Sequence, residues 1–597
     1  MDYVWKYRNM NPIAEKSYEM ADIPKILSKV LYNRGYTADD YEIINDGIFE
    51  MTNYYRENIP CMEAAAKRIN RALLDSNTQI YIFSDYDTDG ITSAAIFHDI
   101  AFSLAKYDEH YNNNFVIHIP ERIDGYGLNT DWCTKVIAEK NKPENQEKDF
   151  LVITFDNGIT KNMQIDYLRK NNIEVIVTDH HEPGDKIPSG IVVDPKKDDE
   201  KVGEELCGAG ISWIIAYRLY QLCLATFKNK EKEKDLTESL KRALEYAAIG
   251  TVGDMMPMTL FNLSLVKKGL ACLNEKDKNN SPLVDLIEEL KKNSKTMAFE
   301  ITSKDIGFTI AAAINACGQM GYANKAMNLF LGNGTAESVR ECLNISQNET
   351  KKAKTVIDKD LEQGRFDNDL ICIYTMFDIP KGIAGKLSNH ICSCTGKPAI
   401  VLASDKNSLT NEISGSARCS NPTIDILNLL KKLENDNIIK SAAGHKAACG
   451  VVFYKDKIEE AKNKLNEMIV ENIEKNESEI NPKADLYIDD TIEIKDIVYK
   501  NYKDINNMPY SMNFSAPNFL FKGYIEKVKI SSSNKNNICY TIRDLIGNST
   551  IDIWVWNKKA QEYKDNKPSK ISIVGNLSRN FLKPGQITLD VVDLRFE

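Results

Sequence analysis

Spaced cysteines, long apolar runs and histidines are what this 597-residue chain has little of. Its 13 cysteines contain no Cys-x-x-Cys pair, and only Cys392 and Cys394 stand close together. An odd, unpatterned set points to reduced thiols rather than a disulfide frame or zinc ribbon. No apolar stretch approaches the roughly 20 residues of a membrane span. The first residues, MDYVWKYRNMNP, lack the apolar core of a signal peptide, so a cytoplasmic protein with no membrane contact is expected. There is no excess of basic charge: the formal net charge is −10. That total speaks against a uniformly basic, nucleic-acid-coating surface, but a local basic groove can coexist with it. Of only 7 histidines, His180 and His181 are adjacent.

What is present is an ordinary globular composition, 43% hydrophobic, in a chain long enough for several domains. Short apolar runs within it end in acids or imidazoles. Gln79-Ile80-Tyr81-Ile82-Phe83 leads into Ser84-Asp85-Tyr86-Asp87-Thr88-Asp89-Gly90. Leu151-Val152-Ile153-Thr154-Phe155 leads into Asp156-Asn157-Gly158, and Glu174-Val175-Ile176-Val177-Thr178 into Asp179-His180-His181. Such runs between turn residues read as buried strands, and in open α/β sheets ligands gather at the carboxyl ends of strands. Acids and imidazoles delivered there by separate strands would converge on one cleft and hold metal. The Asp85-x-Asp87-x-Asp89-Gly90 run also opens like a calcium EF-hand loop, but Ile96 stands where that loop needs its bidentate glutamate. A strand-like run, not a helix, precedes it.

Strand and helix patterns alternate from about residue 72 to 255, as in parallel βαβ units. Residues 256 to 365 read as helical. A second α/β segment follows, with strands near 370–374, 399–403 and 450–453 and a charged helix over 455–480. From about 516 the pattern turns to short alternating strands with Gly, Ser and Asn turns, which suits a small OB-like barrel. The expected layout is a helical extension (1–70), a parallel-sheet catalytic domain (71–260), a helical connector (261–365), a smaller α/β domain (366–475), a linker (476–515) and the barrel (516–597).

Carboxylates with one or two imidazoles suit Mn²⁺ or Mg²⁺ better than zinc. Two such ions about 4 Å apart can hold a phosphate between them and activate a water. Asp87 and Asp89, two apart on one loop, can face different ions, and Asp156 can bridge them. His180 can complete one shell, with Asp254 supplied by a distant helix end. His181 points differently and can stabilise charge developing on phosphate, while Asp85 and Asp179 orient the ligands.

At this point the chain resembles the DHH phosphoesterases, and within them the RecJ-like single-strand exonucleases. The stretches that carry the likeness are SDYDTDGITSAA, IPERIDGYGLN, TFDNGIT, VTDHHEPG, VVDP, CGAGISW and IGTVGDMMP, followed by GSAR (Gly415 to Arg418) and AGHKAACG (Ala443 to Gly450). The last two look like the companion DHHA1 domain. The resemblance implies a 5′-to-3′ exonuclease on single-stranded DNA that releases 5′-mononucleotides with Mg²⁺ or Mn²⁺, in repair or recombination. By the same resemblance Asp87, Asp89, Asp156, His180 and Asp254 are metal ligands, and His181, Asp156 and Asp89 are catalytic. Arg122, Ser416, Arg418, Gly444 and His445 are the implied substrate-binding positions. A monomer is expected, with a single-strand-binding protein or helicase as conceivable partners.

The chain also departs from the family pattern. The connector motif Pro-Arg-Ile-Asn-Ala-x-Gly-Arg-Met reads here from Ala312 to Met320, with Ala313 and Gln319 where arginines are expected. Gly-Gly-His has become Ala443-Gly444-His445. An arginine lost to alanine removes a bidentate phosphate clamp.

Other residues read either way. Trp554, Trp556 and Phe519 could stack bases or fill the barrel core. Lys522, Lys527, Lys529 and Lys535 could track a phosphate backbone or line a solvated edge. His98, His110, His118 and His390 match no motif and read as structural or solvent-exposed. A phosphodiesterase for short oligonucleotides or cyclic dinucleotides, and an inactive DHH-fold replication scaffold, are the rival functions. The barrel argues against the first, and the presence of every inferred ligand against the second.

Overall fold

Each apolar run that ends in an acid becomes a strand of one parallel sheet in the computed structural model. After a first strand, β1 (Tyr3–Tyr7), and a run of helices come β2 (Thr78–Ser84), β3 (Phe115–His118), β4 (Asp149–Phe155), β5 (Glu174–Thr178) and β6 (Ile191–Val193). Their order is β3-β2-β4-β5-β6, with every neighbouring pair parallel. Phe150 to Phe155 are all buried, which explains why β4 reads as a continuous apolar run rather than an alternating one. The order changes direction between β2 and β4, so their carboxyl ends flank the switch point where α/β sheets bind ligands.

The structure describes residues 3–8, 11–121, 125, 127–227, 232–275, 281–292, 297, 300–404, 410–476, 484–511, 513–531, 537–547, 549–556, 569–580, 583 and 585–596. Arg122 and Lys535 lie outside the described residues. The chain divides into two units: Tyr3–Ile314, Asn324–Glu337 and Asp485–Glu597 in one, Asn315–Ala323 and Ser338–Ala484 in the other.

In the larger unit the helices Thr88–Tyr107 and Gly208–Thr226 pack on the sheet, and Glu233–Gly253 packs on both of them. Small residues make their close approach possible. At Gly269, in the helix Leu260–Leu273, an added Cβ would stand 2.5 Å from the Cβ of Ala248 and 2.6 Å from the carbonyl of Leu244. The same unit carries the C-terminal strands: β14 (Phe519–Ile530), β15 (Asn537–Asp544), β16 (Thr550–Trp556), β17 (Lys570–Arg579) and β18 (Ile587–Phe596). They run in the order β16-β15-β14-β17-β18, antiparallel throughout.

The segments expected as a helical extension and a linker carry more structure than their composition announces. β1 opens the extension and pairs with β12 (Ala484–Ile488), while β13 (Asp490–Ile492) joins β14 in parallel. The helix Tyr499–Asn506 follows. Tertiary partners supply what these short segments lack in local signal. Trp5 Nε1 donates to Asp593 at 2.8 Å, and the buried Arg34 guanidinium meets Asp489 at 2.8 Å. Phe519 is fully buried in β14 and so is core rather than a base-stacking ring.

The smaller unit holds β7 (Cys372–Phe377), β8 (Ala399–Ser404), β9 (Glu412–Arg418), β10 (Ile439–His445) and β11 (Ala448–Tyr454), in the order β10-β11-β9-β8-β7. One face packs Ile400, Leu402, Ala417, Cys449 and Phe453 against the helices Ile426–Asn435 and Ile458–Asn476. Tyr374, Ala399 and Val401, near the β7 edge, pack with Ile383, Leu387 and Ile391 of the segment that includes the helix Ala384–Thr395.

Gly269→Ala should lower the melting temperature, because overpacking two helices costs about 1–3 kcal/mol. Thermal denaturation reads this, and an unchanged transition would mean the helices separate without cost.

Candidate metal centre

At the end of β2, Asp85 is buried and Asp87 turns the chain into the helix Thr88–Tyr107. The Asp87 side chain caps that helix, accepting from the Gly90 amide at 3.0 Å. Gly90 cannot carry a side chain cheaply, since a Cβ there would lie 2.4 Å from the Asp85 carbonyl. Asp89 therefore sits in the first helical turn, not on a loop as expected. Its carboxylate accepts from the amides of Gly208 at 2.6 Å and Ala209 at 2.8 Å, the start of the helix Gly208–Thr226. The sequence placed CGAG among the matching stretches without giving it this role. A glycine-led helix start is the signal that could have revealed it.

After β4, Asp156 adopts a left-handed backbone with φ of 59°. A non-glycine residue there costs energy and is held by its surroundings. Its amide donates to Thr178 at 3.0 Å, and the Asn157 side chain donates to the carbonyls of Phe83 and Phe155. After β5, Asp179 accepts from the amides of Ile159 and His180 and from His181 Nδ1 at 2.8 Å. Asp254 caps the end of the helix Glu233–Gly253.

These elements bring Asp85, Asp87, Asp89, Asp156, His180, His181 and Asp254 together. His180 Nε2 lies 3.1 Å from Asp156, 3.6 Å from Asp89 and 3.7 Å from Asp254. Donor atoms fall into overlapping sets, each within 4.8 Å: Asp89, His180 and Asp254; Asp156, His180 and His181; Asp85, Asp87 and Asp156. Asp156 joins the last two sets and His180 the first two. Asp85, expected only to orient ligands, stands among the donors, and its buried Oδ1 has no hydrogen-bond partner. A crowded, oxygen-rich, partly orphaned donor set of this kind fits hard divalent cations.

The electrostatics agree. Burial, then the neighbouring aspartates, push the carboxyls of Asp85, Asp156 and Asp254 well above their usual range. Burial raises Asp89 too, against the pull of His180. Burial also lowers the His180 imidazole to about 4, which suits it to the neutral form that could bind a metal. For His181, burial opposes the charge, but the hydrogen bond and charge of Asp179 outweigh it and hold the ring up at about 9. The motif reading missed Asp194, which is buried, has an unpartnered Oδ2, and is raised to about 7 by burial and then by Asp179.

In the smaller unit the register aligns Ser416 with Gly450 and Ala443, and Arg418 with Ala448 and His445. Alternation along the strands puts these six on one face, a shelf of small residues ending in a guanidinium and an imidazole. Gly385 crowds Arg418 so closely that a Cβ would sit 2.8 Å from Nη2. Gly444 alternates to the opposite face and serves the backbone instead, with φ of 140° and no room for a Cβ beside the Ala448 carbonyl. The positive φ belongs to the retained glycine, so Ala443 carries no such penalty. Where the second connector arginine is expected, Gln319 accepts from Ser346, which in turn accepts from Lys386 at 2.9 Å.

The model of the DHH family, N-terminal domain, matches residues 79–251, the DHHA1 domain residues 368–471, and the RecJ OB domain residues 488–591. The chain thus carries, in this order, segments similar to the DHH, DHHA1 and RecJ OB domains. Curated proteins named RecJ are similar to it along much of its length. The single-stranded-DNA-specific exonuclease RecJ of Bacillus subtilis (strain 168) is 27% identical over 580 residues, covering 94% of this chain and 66% of that protein. RecJ of Thermus thermophilus is 28% identical over 396 residues, covering 65% of this chain and 51% of that protein. The chain thus spans about two thirds and about half the length of these relatives. The crystal structure of the Thermus thermophilus RecJ in complex with Mn²⁺ shares the fold, with a TM-score of 0.76 and 20% identity over 99% of this chain and 79% of that one.

With divalent cations chelated, the melting temperature should fall as pH rises from 6.5 toward 9. His181 stabilises fully below 6.5 and loses that contribution as it deprotonates through about 9. The raised carboxyls likewise hold protons that the unfolded chain has released, so ionising them weakens the fold. His180, lowered to about 4, changes stability only below this window. Added Mn²⁺ should recover more stability at the alkaline end. Calorimetry across the range checks the sign, and stability rising with pH would contradict it.

Proposed function

We propose that this chain is a metal-dependent exonuclease that hydrolyses single-stranded DNA from its 5′ end to 5′-mononucleotides. The observation that carries this reading is the convergence of Asp87, Asp89, Asp156, His180 and Asp254 at the switch point of the parallel sheet. These residues would hold Mn²⁺ or Mg²⁺, His180 through the one lone pair of Nε2, with Asp85 close beside them. Such cations, when bound, polarise the phosphate and lower the pKa of a coordinated water. Gly208 and Ala209 keep the Asp89 oxygens aimed inward. Asp179 fixes the His181 ring through Nδ1, so its Nε2 proton is the one available to the phosphate or the leaving 3′-oxygen.

Single-stranded DNA as the substrate is supported by the names of the relatives and by the OB domain. There Trp554 and Trp556 stack with centroids 5.4 Å apart on β16, with Trp556 exposed, and Lys522, Lys527 and Lys529 are exposed along β14. Polarity rests on the family likeness. The loss of both connector arginines favours a second reading, a phosphodiesterase for short oligonucleotides that needs less grip on a long strand.

DNA labelled separately at its 5′ and 3′ ends, incubated with Mn²⁺, should release a labelled mononucleotide at once from the 5′ end only. Asp156→Ala should slow this by about 10³-fold, roughly 4 kcal/mol of barrier. Wild-type rates in that variant would remove Asp156 from the mechanism. Intact long strands with hydrolysis of dinucleotides would select the second reading. Replacing Trp554 and Trp556 by alanine should weaken binding of long strands by about 1–3 kcal/mol per lost stacked base. Titration with labelled oligonucleotide measures it, and unaltered affinity would show the pair to be structural.

A further inference from the structure

The geometry points to a second metal site, chemically unlike the first, formed by Asp358, His390 and Cys394 in the smaller unit, and selective for Zn²⁺ over Mg²⁺ or Mn²⁺. His390 and Cys394 lie four residues apart on the helix Ala384–Thr395, which puts both side chains on one face. Asp358 comes from the long helix Ala336–Glu362. His390 Nε2 stands 2.6 Å from Asp358 Oδ1, and Cys394 Sγ is 3.9 Å from both ring nitrogens. One donor atom from each residue falls within a common 4.8 Å.

Zinc binds nitrogen and oxygen at about 2.0–2.1 Å and thiolate at about 2.3 Å, which in tetrahedral geometry separates donors by about 3.3–3.6 Å. The observed separations bracket that range, and small rotations of the exposed Asp358 and Cys394 side chains reach it. An oxygen, an imidazole and a thiolate form a borderline-soft set that hard cations do not select. The catalytic cluster is the reverse, all carboxylate and imidazole, so the two sites sort metals by chemistry.

The same trio could be imagined as a nucleophilic cysteine with its base. The geometry argues otherwise: Nε2 already faces Asp358, and Sγ sits equally far from both nitrogens instead of in line with Nδ1. Three protein ligands leave a fourth position open for water.

The site has a mechanical connection within its own unit. The Ala384–Thr395 helix also carries Ser388, whose hydroxyl donates to the Ser416 carbonyl at 2.6 Å and accepts from the Val401 amide at 3.2 Å. Gly385, in the first turn, packs on Arg418. An ion joining the far end of this helix to Ala336–Glu362 would stiffen the support of the small-residue shelf.

Cobalt is the test probe, added stoichiometrically to the full chain with excess Mg²⁺ filling the carboxylate cluster. A thiolate-to-cobalt charge-transfer band should appear in the near ultraviolet and be displaced by Zn²⁺. Cys394→Ser should abolish it, and His390→Ala and Asp358→Asn should weaken it. Cys61→Ser, at the other exposed cysteine among the described residues, should leave it unchanged. Cys394 is exposed, so its serine variant opens no cavity, and matched circular dichroism verifies the fold. Absence of the band, or its survival in Cys394→Ser, would overturn the site. Neither outcome depends on whether the chain cleaves DNA.

Discussion

Asp89 sets the constraint around which the catalytic half is arranged. It lies buried beside Asp87, Asp156 and Asp254, where negative charge repels negative charge in a medium that screens it poorly. What holds its carboxylate in place is a pair of backbone N–H groups at a helix start, from Gly208 and Ala209. The positive end of that helix dipole points at the same oxygens. Such an approach tolerates almost no side-chain volume. A Cβ at Gly208 would meet the Asp156 Cβ at 2.9 Å, and one at Gly250 would meet Asp89 at 2.8 Å and Ala209 at 2.4 Å. Gly208 of CGAG and Gly250 of IGTVGD are thus the packing counterpart of the acid between them.

The same logic separates the roles of the two adjacent histidines. They share a turn, yet burial lowers the His180 imidazole, while the hydrogen bond and charge of Asp179 raise that of His181 against its own burial. Asp179 spends its hydrogen bonds on orientation: the amides that frame the turn, and His181 Nδ1. His180 faces carboxylates that a cation would claim. Neighbours in sequence are thereby assigned opposite electrostatic characters by the strand end that carries them.

Much of this was legible in the sequence. Apolar runs gave β2, β4 and β5 within a residue or two, and the acids behind them converge because parallel strands share a carboxyl end. What was not legible depends on distant partners. β1 is too short to show a period, and its pairing with β12 joins segments far apart in the chain. Asp85 could be seen to follow a strand, but only the tight turn at Gly90 shows that it lies among the donors. The six-residue shelf of the smaller unit needed the register of β9, β10 and β11, since alternation defines a face only when neighbouring strands are aligned. Phe519 reads either way in the sequence for a related reason: an aromatic at a strand start says nothing of which side it faces.

The division of the chain has a consequence for how it is made. The larger unit is discontinuous, its closing strands 485–597 arriving only after the smaller unit has been synthesised. The N-terminal strand waits for them, since Trp5 bonds to Asp593 and Arg34 is neutralised by Asp489. On a ribosome that delivers residues one after another, the inserted unit has its whole sequence first, while the early helices idle beside an unpaired strand. Folding of the inserted unit draws together residues 338–484, which shortens the free chain that must close between Trp5 and Asp593.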